Sequence, residues 1–201
     1  MDTDQVIEYA RVDGSPSDKV RKAACKDPYA AYYYAMLVDK CPRRDTRAAA
    51  CKDPYAAVSY AQEIDKCPRK DTRRATRTHP LSAYEYAKEV DKHPRKDTRK
   101  WACKEPQEAF FYARDVDKCP RKDTRKAVLI DPIFAYRYAL CVDQCPREDT
   151  RQAACEDAEI AYAYAIEVDK AFNESTYRAT LGTKYEKKYL DFFNEGKEDE
   201  S

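Results

Sequence analysis

Apolar residues recur along this chain with two periods, one short and one long. Within residues 54–66 they follow the i, i+3, i+4, i+7 spacing of one α-helical face, at Ala57, Tyr60, Ala61 and Ile64. The whole pattern then returns every 26 residues without a slip. The short period predicts amphipathic helices, and the long period predicts an array of similar helical units.

Two start signals divide each unit into a short helix A and a longer helix B. Asp45 is predicted to be the N-cap of helix A, over residues 46–52, because its carboxylate can accept the free amides of a first turn. Asp53-Pro54 begins helix B, since aspartate suits an N-cap and proline suits the first helical position. Helix B is predicted to end near residue 66, because the residue before the next proline is pushed out of the α region.

Helix B carries three columns of identical residues at the same period. Two columns are alanine, beginning at Ala31 and Ala35, and alanine lets helices approach toward the lower end of the roughly 8–10 Å range. The third column is tyrosine, at Tyr34, Tyr60, Tyr86, Tyr112, Tyr138 and Tyr164. We predict that these rings pack between successive repeats. The alternative is that they stack on nucleic-acid bases.

Both ends of the chain carry degenerate copies of the unit, as expected of arrays that need polar terminal caps. Residues 1–18 are predicted to form an N-terminal capping helix, residues 19–170 the repeats, and residues 171–194 a C-terminal capping repeat. Residues 195–201 are an acidic tail that is predicted to fray. The predicted fold class is all-α, a right-handed αα solenoid of about six 26-residue helix-turn-helix repeats between degenerate caps.

The repeat resembles the short two-helix repeats of HEAT-like and variant leucine-rich-repeat proteins. The residues that carry this resemblance are Asp45-Thr46-Arg47-Ala48-Ala49, Asp53-Pro54 and Tyr60-Ala61. The chain departs from those families in its columns of tyrosine and alanine, where leucine is usual. It is also similar to repeats in virus- and bacteriophage-encoded proteins. The resemblance implies protein binding by a curved surface, and it transfers no site residue.

The composition argues against several classes of protein. Three glycines leave no glycine-rich loop to cradle a phosphate, and no acid, base and nucleophile converge, so we predict no catalytic residue and no enzyme. No apolar stretch approaches the roughly 20 residues of a membrane helix, and the N-terminus lacks a secretory signal. The predicted location is the cytoplasm, or the host cytoplasm if the protein is viral.

Nine cysteines and two histidines raise the questions of disulfides and metals. The odd cysteine count and the missing signal favour reduced, buried thiols. His93 replaces a cysteine in the column that contains Cys67, but neighbours in a column lie roughly 10 Å apart by helix packing and cannot share a zinc ion. We predict no metal site and no cofactor.

Two further columns are charged. One is aspartate, from Asp39 to Asp169, and the other is arginine, from Arg21 to Arg151. We predict a solvated Asp-Arg ladder between neighbouring repeats, because a guanidinium meets a carboxylate in fork geometry. The alternative is that these charges bind a ligand.

A basic edge is predicted at the loop before each helix A, although the net charge of the whole chain is only +1. It consists of Arg43, Arg44, Arg69, Lys70, Arg95, Lys96, Arg121 and Lys122, and it weakens at Arg147-Glu148. Three interpretations stay open: these residues confer solubility, meet an acidic protein surface, or meet nucleic-acid phosphates.

Aromatic residues on the outer helix faces are a second candidate for partner binding. Tyr29 and Tyr33 make the first repeat unusually apolar, so either the N-terminal helix covers this face with Val6 and Ile7 or the face is an exposed partner site. Trp101 stands where other repeats have alanine and could anchor an interface.

The sequence as a whole favours a non-enzymatic protein-binding solenoid. We predict a partner with an acidic surface and no membrane. The resemblance to viral repeats adds the expectation of a virus-encoded adaptor or inhibitor of a host protein. The alternative is a nucleic-acid-binding repeat protein that uses the basic edge.

Overall fold

The computed structural model describes residues 1–195, so the predicted acidic tail beyond residue 195 lies outside the described residues. Over that part the chain is all-helical and contains no strand, as predicted. The α-helices are α1 Thr3–Val12, α2 Asp18–Ala24, α3 Pro28–Tyr34, α4 Arg44–Ala50, α5 Pro54–Ser59, α6 Lys70–Thr76, α7 Pro80–Glu85, α8 Lys96–Ala102, α9 Pro106–Phe111, α10 Lys122–Val128, α11 Pro132–Tyr138, α12 Glu148–Ala154, α13 Ala158–Tyr164, α14 Glu174–Thr180 and α15 Lys184–Glu195.

The predicted alternation of a short and a longer helix is confirmed. The even-numbered helices α2 to α14 are copies of helix A, and the odd-numbered helices α3 to α13 are copies of helix B. The described residues form two compact units, Met1–Ala102 and a second that begins at Cys103. In each unit helix A packs against the helix B before it and the helix B after it. This packing in series is that of an αα solenoid with a repeat of about 26 residues.

Helix B begins where the sequence predicts. The side chain of Asp53 accepts hydrogen bonds from the backbone amides of Tyr55 and Ala56, both at 2.9 Å, with Pro54 in the first turn. Asp27, Asp131 and Asp157 cap their helices in the same way. The Asp-Pro signal therefore reports a true N-cap, because the carboxylate satisfies amides that the helix leaves without partners.

Helix A begins earlier than predicted, and the assignment of Asp45 as its N-cap is wrong. The N-cap of α4 is Arg43, whose side chain makes no capping bond, and Asp45 lies inside the first turn. The Asp45 carboxylate still accepts the Thr46 amide at 2.9 Å. The hydroxyl of Tyr60, on the following helix B, binds the backbone of the N-cap residue itself. It accepts from the Arg43 amide at 3.0 Å and donates to the Arg43 carbonyl at 3.1 Å. A buried phenol thus satisfies the backbone polar groups of the residue at which helix A begins.

Each helix B ends in a π-helical segment that the sequence pattern did not predict. These segments are Ala35–Asp39, Tyr60–Asp65, Tyr86–Asp91, Tyr112–Asp117, Ala139–Asp143 and Ala165–Asp169. The residue after each segment adopts the left-handed conformation, with φ between 51° and 56°, and it is lysine in five of the six cases. Helix B therefore stops on a residue type that carries a steric cost in this conformation, since it is not glycine.

The core consists of the predicted alanine and tyrosine columns. All six tyrosines of the column are fully buried, and so are the alanines that begin at Ala31 and Ala35. The Tyr60 ring, for example, packs against Ala35 of the preceding helix B and against Ala50 and Ala56. The prediction that the tyrosines pack between successive repeats is confirmed for the rings. Their hydroxyls, in contrast, serve the backbone of their own repeat.

The terminal elements repeat this arrangement in reduced form. Helix α1 covers the first repeat with Val6, which is fully buried, whereas Ile7 is exposed. At the other end, Tyr189 on α15 pairs with Thr176 on α14 and bonds the backbone of Asn173, as the tyrosine column does elsewhere. The predicted alternative that α1 covers the apolar face of the first repeat is therefore the correct one, through Val6 with Tyr9 and Ala10 packed beside it rather than through Ile7.

Candidate partner-binding surface

The aspartate and arginine columns, which recur every 26 residues, form buried ion pairs rather than a solvated ladder. Arg73 on helix A donates from Nε to Asp91 at 3.0 and 3.1 Å, and from Nη2 to the same carboxylate at 2.5 Å. The pairs Arg21–Asp39, Arg125–Asp143 and Arg151–Asp169 form in the same way, each across 18 residues. These pairs link the two helices of one repeat, so the predicted placement between neighbouring repeats is wrong for them.

Arg47 connects successive repeats, and Arg21 approaches Asp45 of the next helix A at 4.0 Å. The Nη1 of Arg47 donates to Asp65 in its own repeat and its Nε donates to Asp71 in the next helix A, both at 2.9 Å. Because Arg47 is shared, Asp65 receives a single bond, and its other carboxylate oxygen is buried without a hydrogen-bond partner. Burial accordingly raises the pKa of Asp65 above its ordinary value, although Arg47 opposes this shift.

The ladder charges are not available to a partner. The Asp39 side chain is 0% exposed and the Arg21 side chain is 9% exposed. Hydrogen bonding to Asp39 raises the pKa of Arg21 above its ordinary value, against the opposing effect of burial. The prediction of solvated pairs is therefore wrong, because the π-helical end of helix B carries its last aspartate inward against helix A.

The basic edge divides into two sets with different surroundings. The first residue of each pair, such as Arg43 or Arg69, is the N-cap of a helix A. Its guanidinium lies 3.4 to 3.9 Å from the buried aspartate four residues earlier, in the pairs Arg43–Asp39, Arg69–Asp65, Arg95–Asp91 and Arg121–Asp117. These arginines are partly exposed but already neutralise a ladder carboxylate.

The second residue of each pair stands at the first helical position and is exposed. These residues are Arg44, Lys70, Lys96 and Lys122. A positive charge there opposes the helix dipole, whose positive end lies at the N-terminus, and such a placement costs about 0.3–1 kcal/mol. We call these four residues the outer basic edge. The fold itself does not require their positive charges.

The same helical position holds an acid in the other copies of helix A. Asp18, Glu148 and Glu174 occupy it in α2, α12 and α14, and each pairs with an arginine three or four residues later at 2.6 to 2.7 Å. Acids suit both the helix dipole and that arginine. The change from Lys122 to Glu148 was visible in the sequence as a weakening of the basic edge.

The predicted aromatic contacts fall in three different environments. Tyr29 is 39% exposed, and burial together with Asp53 raises its pKa. Tyr33 is half-buried between two core clusters, with its ring centroid 4.9 Å from that of Tyr32, so it contributes mainly to packing. Trp101 is half-buried at the end of α8. Of these three aromatic residues, Tyr29 is the one that is exposed.

The cysteines and histidines serve local roles. Six cysteines are half-buried and Cys41, Cys141 and Cys145 are exposed, so the prediction that the thiols are buried is wrong. Burial raises the pKa of Cys51 to about 12 and that of Cys155 to about 11, which keeps both thiols protonated and poorly nucleophilic. His93 Nδ1 lies 2.6 Å from the Asp91 carbonyl. Across residues 1–195, no three metal-ligating side chains cluster.

None of the helices between residues 1 and 195 has the length and apolar character needed to cross a membrane. Comparison of the chain with protein-family models, with curated proteins and with solved structures finds no match.

Proposed function

We propose that this protein is a non-enzymatic binding scaffold whose outer basic edge recognises an acidic surface of another protein. The observation that carries the proposal is the sign of the charge at the first position of helix A. Four consecutive copies hold a base that works against the helix dipole, and three copies hold an acid that pairs with arginine. A charge that costs the fold stability is best explained by a partner.

The spacing of the outer basic edge suits an extended acidic surface. Within the first unit packed helices lie roughly 8–10 Å apart, so Arg44, Lys70 and Lys96 stand close to one Debye length from their neighbours in this set at physiological salt. Their fields therefore overlap only in part, and each residue can meet a separate carboxylate. Such charges accelerate encounter more than they tighten a formed complex.

The test uses charge reversal at Lys70→Glu and Lys96→Glu in the first unit, with soluble polyglutamate as the acidic polypeptide probe. We expect binding of polyglutamate to weaken at least tenfold, chiefly through a slower on-rate, while circular dichroism stays unchanged. The matched control is Lys26→Glu with Lys52→Glu, which makes the same change in net charge at exposed lysines beyond the other end of helix A. Equal weakening in both double variants would refute the basic edge as the interface.

The same variants separate the proposal from nucleic-acid binding. A single-stranded RNA oligonucleotide is titrated beside polyglutamate over a range of salt concentrations. Counterion release makes the logarithm of nucleic-acid affinity fall linearly with the logarithm of salt concentration. Nucleic-acid binding replaces the proposed function under two conditions. The native protein must bind RNA more tightly than polyglutamate at physiological salt, and its affinity for RNA must fall more steeply with salt than that of the Lys70→Glu, Lys96→Glu double variant.

A cytoplasmic location, and a role as a virus-encoded adaptor or inhibitor, belong to the same proposal. What supports the location is the odd number of cysteines and their spacing in columns. The viral role is supported by the resemblance of the repeats alone. Thiol titration of protein purified from its source cells under alkylating protection should count nine free thiols after denaturation. Oxidation of most of them would overturn the cytoplasmic location.

A further inference from the structure

Tyrosine and glutamate face each other between successive copies of helix B in both units. In the first unit, Tyr32 on α3 donates to Glu63, 31 residues later, at 2.5 Å. In the second unit, Tyr136 on α11 and Glu167 stand at the same spacing. Burial, followed by the interaction with the glutamate, raises the pKa of both phenols. A phenol facing a glutamate therefore recurs at this position of the array.

One repeat keeps the glutamate and lacks the phenol. Val58 on α5 occupies the position equivalent to Tyr32, and Glu89 occupies the position equivalent to Glu63. Val58 is buried in one cluster with Tyr86 and Val90 of the next helix B, but it has no hydroxyl to donate to Glu89. The space beside it is a cleft of about 350 Å³ lined by Tyr55, Val58, Gln62, Tyr84, Glu85 and Glu89.

This cleft has the size of a small ligand site, and its walls combine aromatic rings with polar and charged side chains. Pockets for small molecules begin near 300 Å³ and combine aromatic walls with a few polar groups. Tyr84 and Tyr55 supply the aromatic surface, and the Tyr84 ring has the Lys88 ammonium 5.6 Å from its centroid. Glu89 pairs only at 3.7 Å with its neighbour Lys88, and both side chains are 45% exposed. Its carboxylate can therefore turn to a hydrogen-bond donor in the cleft.

We propose that the cleft between α5 and α7 binds a phenol group supplied by a ligand, whose hydroxyl donates to Glu89 as Tyr32 donates to Glu63. The ring takes the space that the tyrosine facing a glutamate fills elsewhere. The cleft involves no residue of the outer basic edge. The test of this site is therefore independent of the function proposed above.

Two sources of a phenol have the required chemistry, a tyrosine side chain within a polypeptide and a free phenolic amine. Glu85 distinguishes them. It lines the cleft half-buried, and burial followed by the nearby charge of Glu89 raises its pKa. A free ammonium would find a second carboxylate there, whereas a tyrosine in a peptide carries no charge near its ring. Both ligands share the phenol that the proposal requires.

The test measures binding of N-acetyl-tyrosinamide and of tyramine to the full chain by calorimetry and by NMR shifts of the cleft residues. We expect saturable binding of at least one probe. N-acetyl-phenylalaninamide and phenethylamine, which lack the hydroxyl, should bind about tenfold more weakly or worse, because a hydrogen bond to a charged group is lost. Tighter binding of tyramine identifies the free amine as the source, and tighter binding of N-acetyl-tyrosinamide identifies the polypeptide.

Two variants keep the test decisive. Val58→Tyr should fill the cleft, place a phenol facing Glu89 and abolish binding of the phenol probes. Glu89→Gln changes a side chain that is half in solvent, so the fold should persist while the preference for phenol over phenyl probes is lost. Failure of both phenol probes to bind the native chain would overturn the proposal, and so would equal affinity for phenol and phenyl probes.

Discussion

Arg44 and Arg47 lie one turn apart on the same helix and have opposite roles. Arg47 is 16% exposed and divides its guanidinium between the buried Asp65 and the next helix A. Arg44 is exposed at the first helical position, where its charge opposes the helix dipole. The residue type is the same, so the difference lies in burial and in the partner. Inner charges hold the two helices of a repeat together, and outer charges take no part in this packing.

The inner pairs are best regarded as a device that specifies the packing of helix A on helix B. Two buried charges lose hydration, and their attraction repays this loss only when the geometry is good. Removing one partner lowers the free energy of unfolding, because the other charge is then left buried without compensation. The comparison between inner and outer charges can therefore be tested by substitutions that remove one charge at a time.

The largest effect is expected for Arg73→Met, which leaves the buried Asp91 without its bidentate partner. We expect a loss of about 3–5 kcal/mol in the free energy of unfolding, measured by urea denaturation. Arg74→Met is the matched control, because Arg74 is the exposed neighbour on the same helix. It should change stability by less than about 0.5 kcal/mol. Similar losses in both variants would show that the inner and outer charges do not differ as described.

A smaller loss is expected when a column tyrosine loses its hydroxyl. Tyr86→Phe keeps the ring but leaves the Arg69 amide and carbonyl, and the Thr72 hydroxyl, without their shared partner. The expected cost is about 1–3 kcal/mol. Tyr33→Phe is the control, since Tyr33 is partly exposed and packs through its ring. A neutral Tyr86→Phe would mean that water caps helix A and that the phenol is dispensable.

The tyrosine column also predicts how stability responds to alkaline pH. Burial raises the pKa of Tyr60, Tyr86, Tyr138, Tyr164 and Tyr189 above the ordinary value. The unfolded chain therefore releases these protons first as pH rises, so their contribution is complete below about pH 10 and is lost as pH climbs toward the folded pKa. The loss should be about 1.4 kcal/mol per pH unit for each tyrosine.

Tyrosinate absorbance recorded beside circular dichroism checks this prediction. The column tyrosines should ionise together with unfolding, and the Tyr60→Phe, Tyr86→Phe double variant should show a shallower alkaline slope. If the phenols titrate fully while helicity is retained, their burial is less complete than the structure indicates.

Much of this architecture could be predicted from the sequence because the same helix-start signals and apolar columns recur in about six repeats. The Asp-Pro start of helix B is a local signal, and Asp53 caps as expected. The start of helix A is not local, since the backbone of its N-cap residue Arg43 is held by Tyr60, 17 residues farther along. Propensity rules that look at neighbouring residues assign the N-cap to Asp45 instead, because Asp45 accepts a first-turn amide from inside the helix. The π-helical segments left no periodic signature, because apolar spacing stays close to that of an α-helix.

The candidate surface could be predicted only in outline. The basic pairs are visible in the sequence, but their division into an inner and an outer residue depends on the buried aspartate four residues before Arg43. The cleft at Val58 was not predicted either. Its signal was present as a valine where Tyr32 and Tyr136 stand in other repeats, yet the variation has meaning only once the bond from Tyr32 to Glu63 is seen.

The smallest effect has the opposite sign to all the others. Lys70→Glu and Lys96→Glu place at the first helical position the type of charge that the helix dipole favours, and each glutamate can pair with the arginine three residues later, as Glu148 pairs with Arg151. We expect each change to raise the free energy of unfolding by about 0.3–1 kcal/mol.

The control variants Lys26→Glu and Lys52→Glu, beyond the C-terminal ends of α2 and α4, should lower the free energy of unfolding by a similar amount. A gain in stability from the variants that lose binding would mean that these lysines are kept for recognition at the expense of the fold. A loss as large as that of Arg73→Met would instead assign the outer basic edge to the architecture.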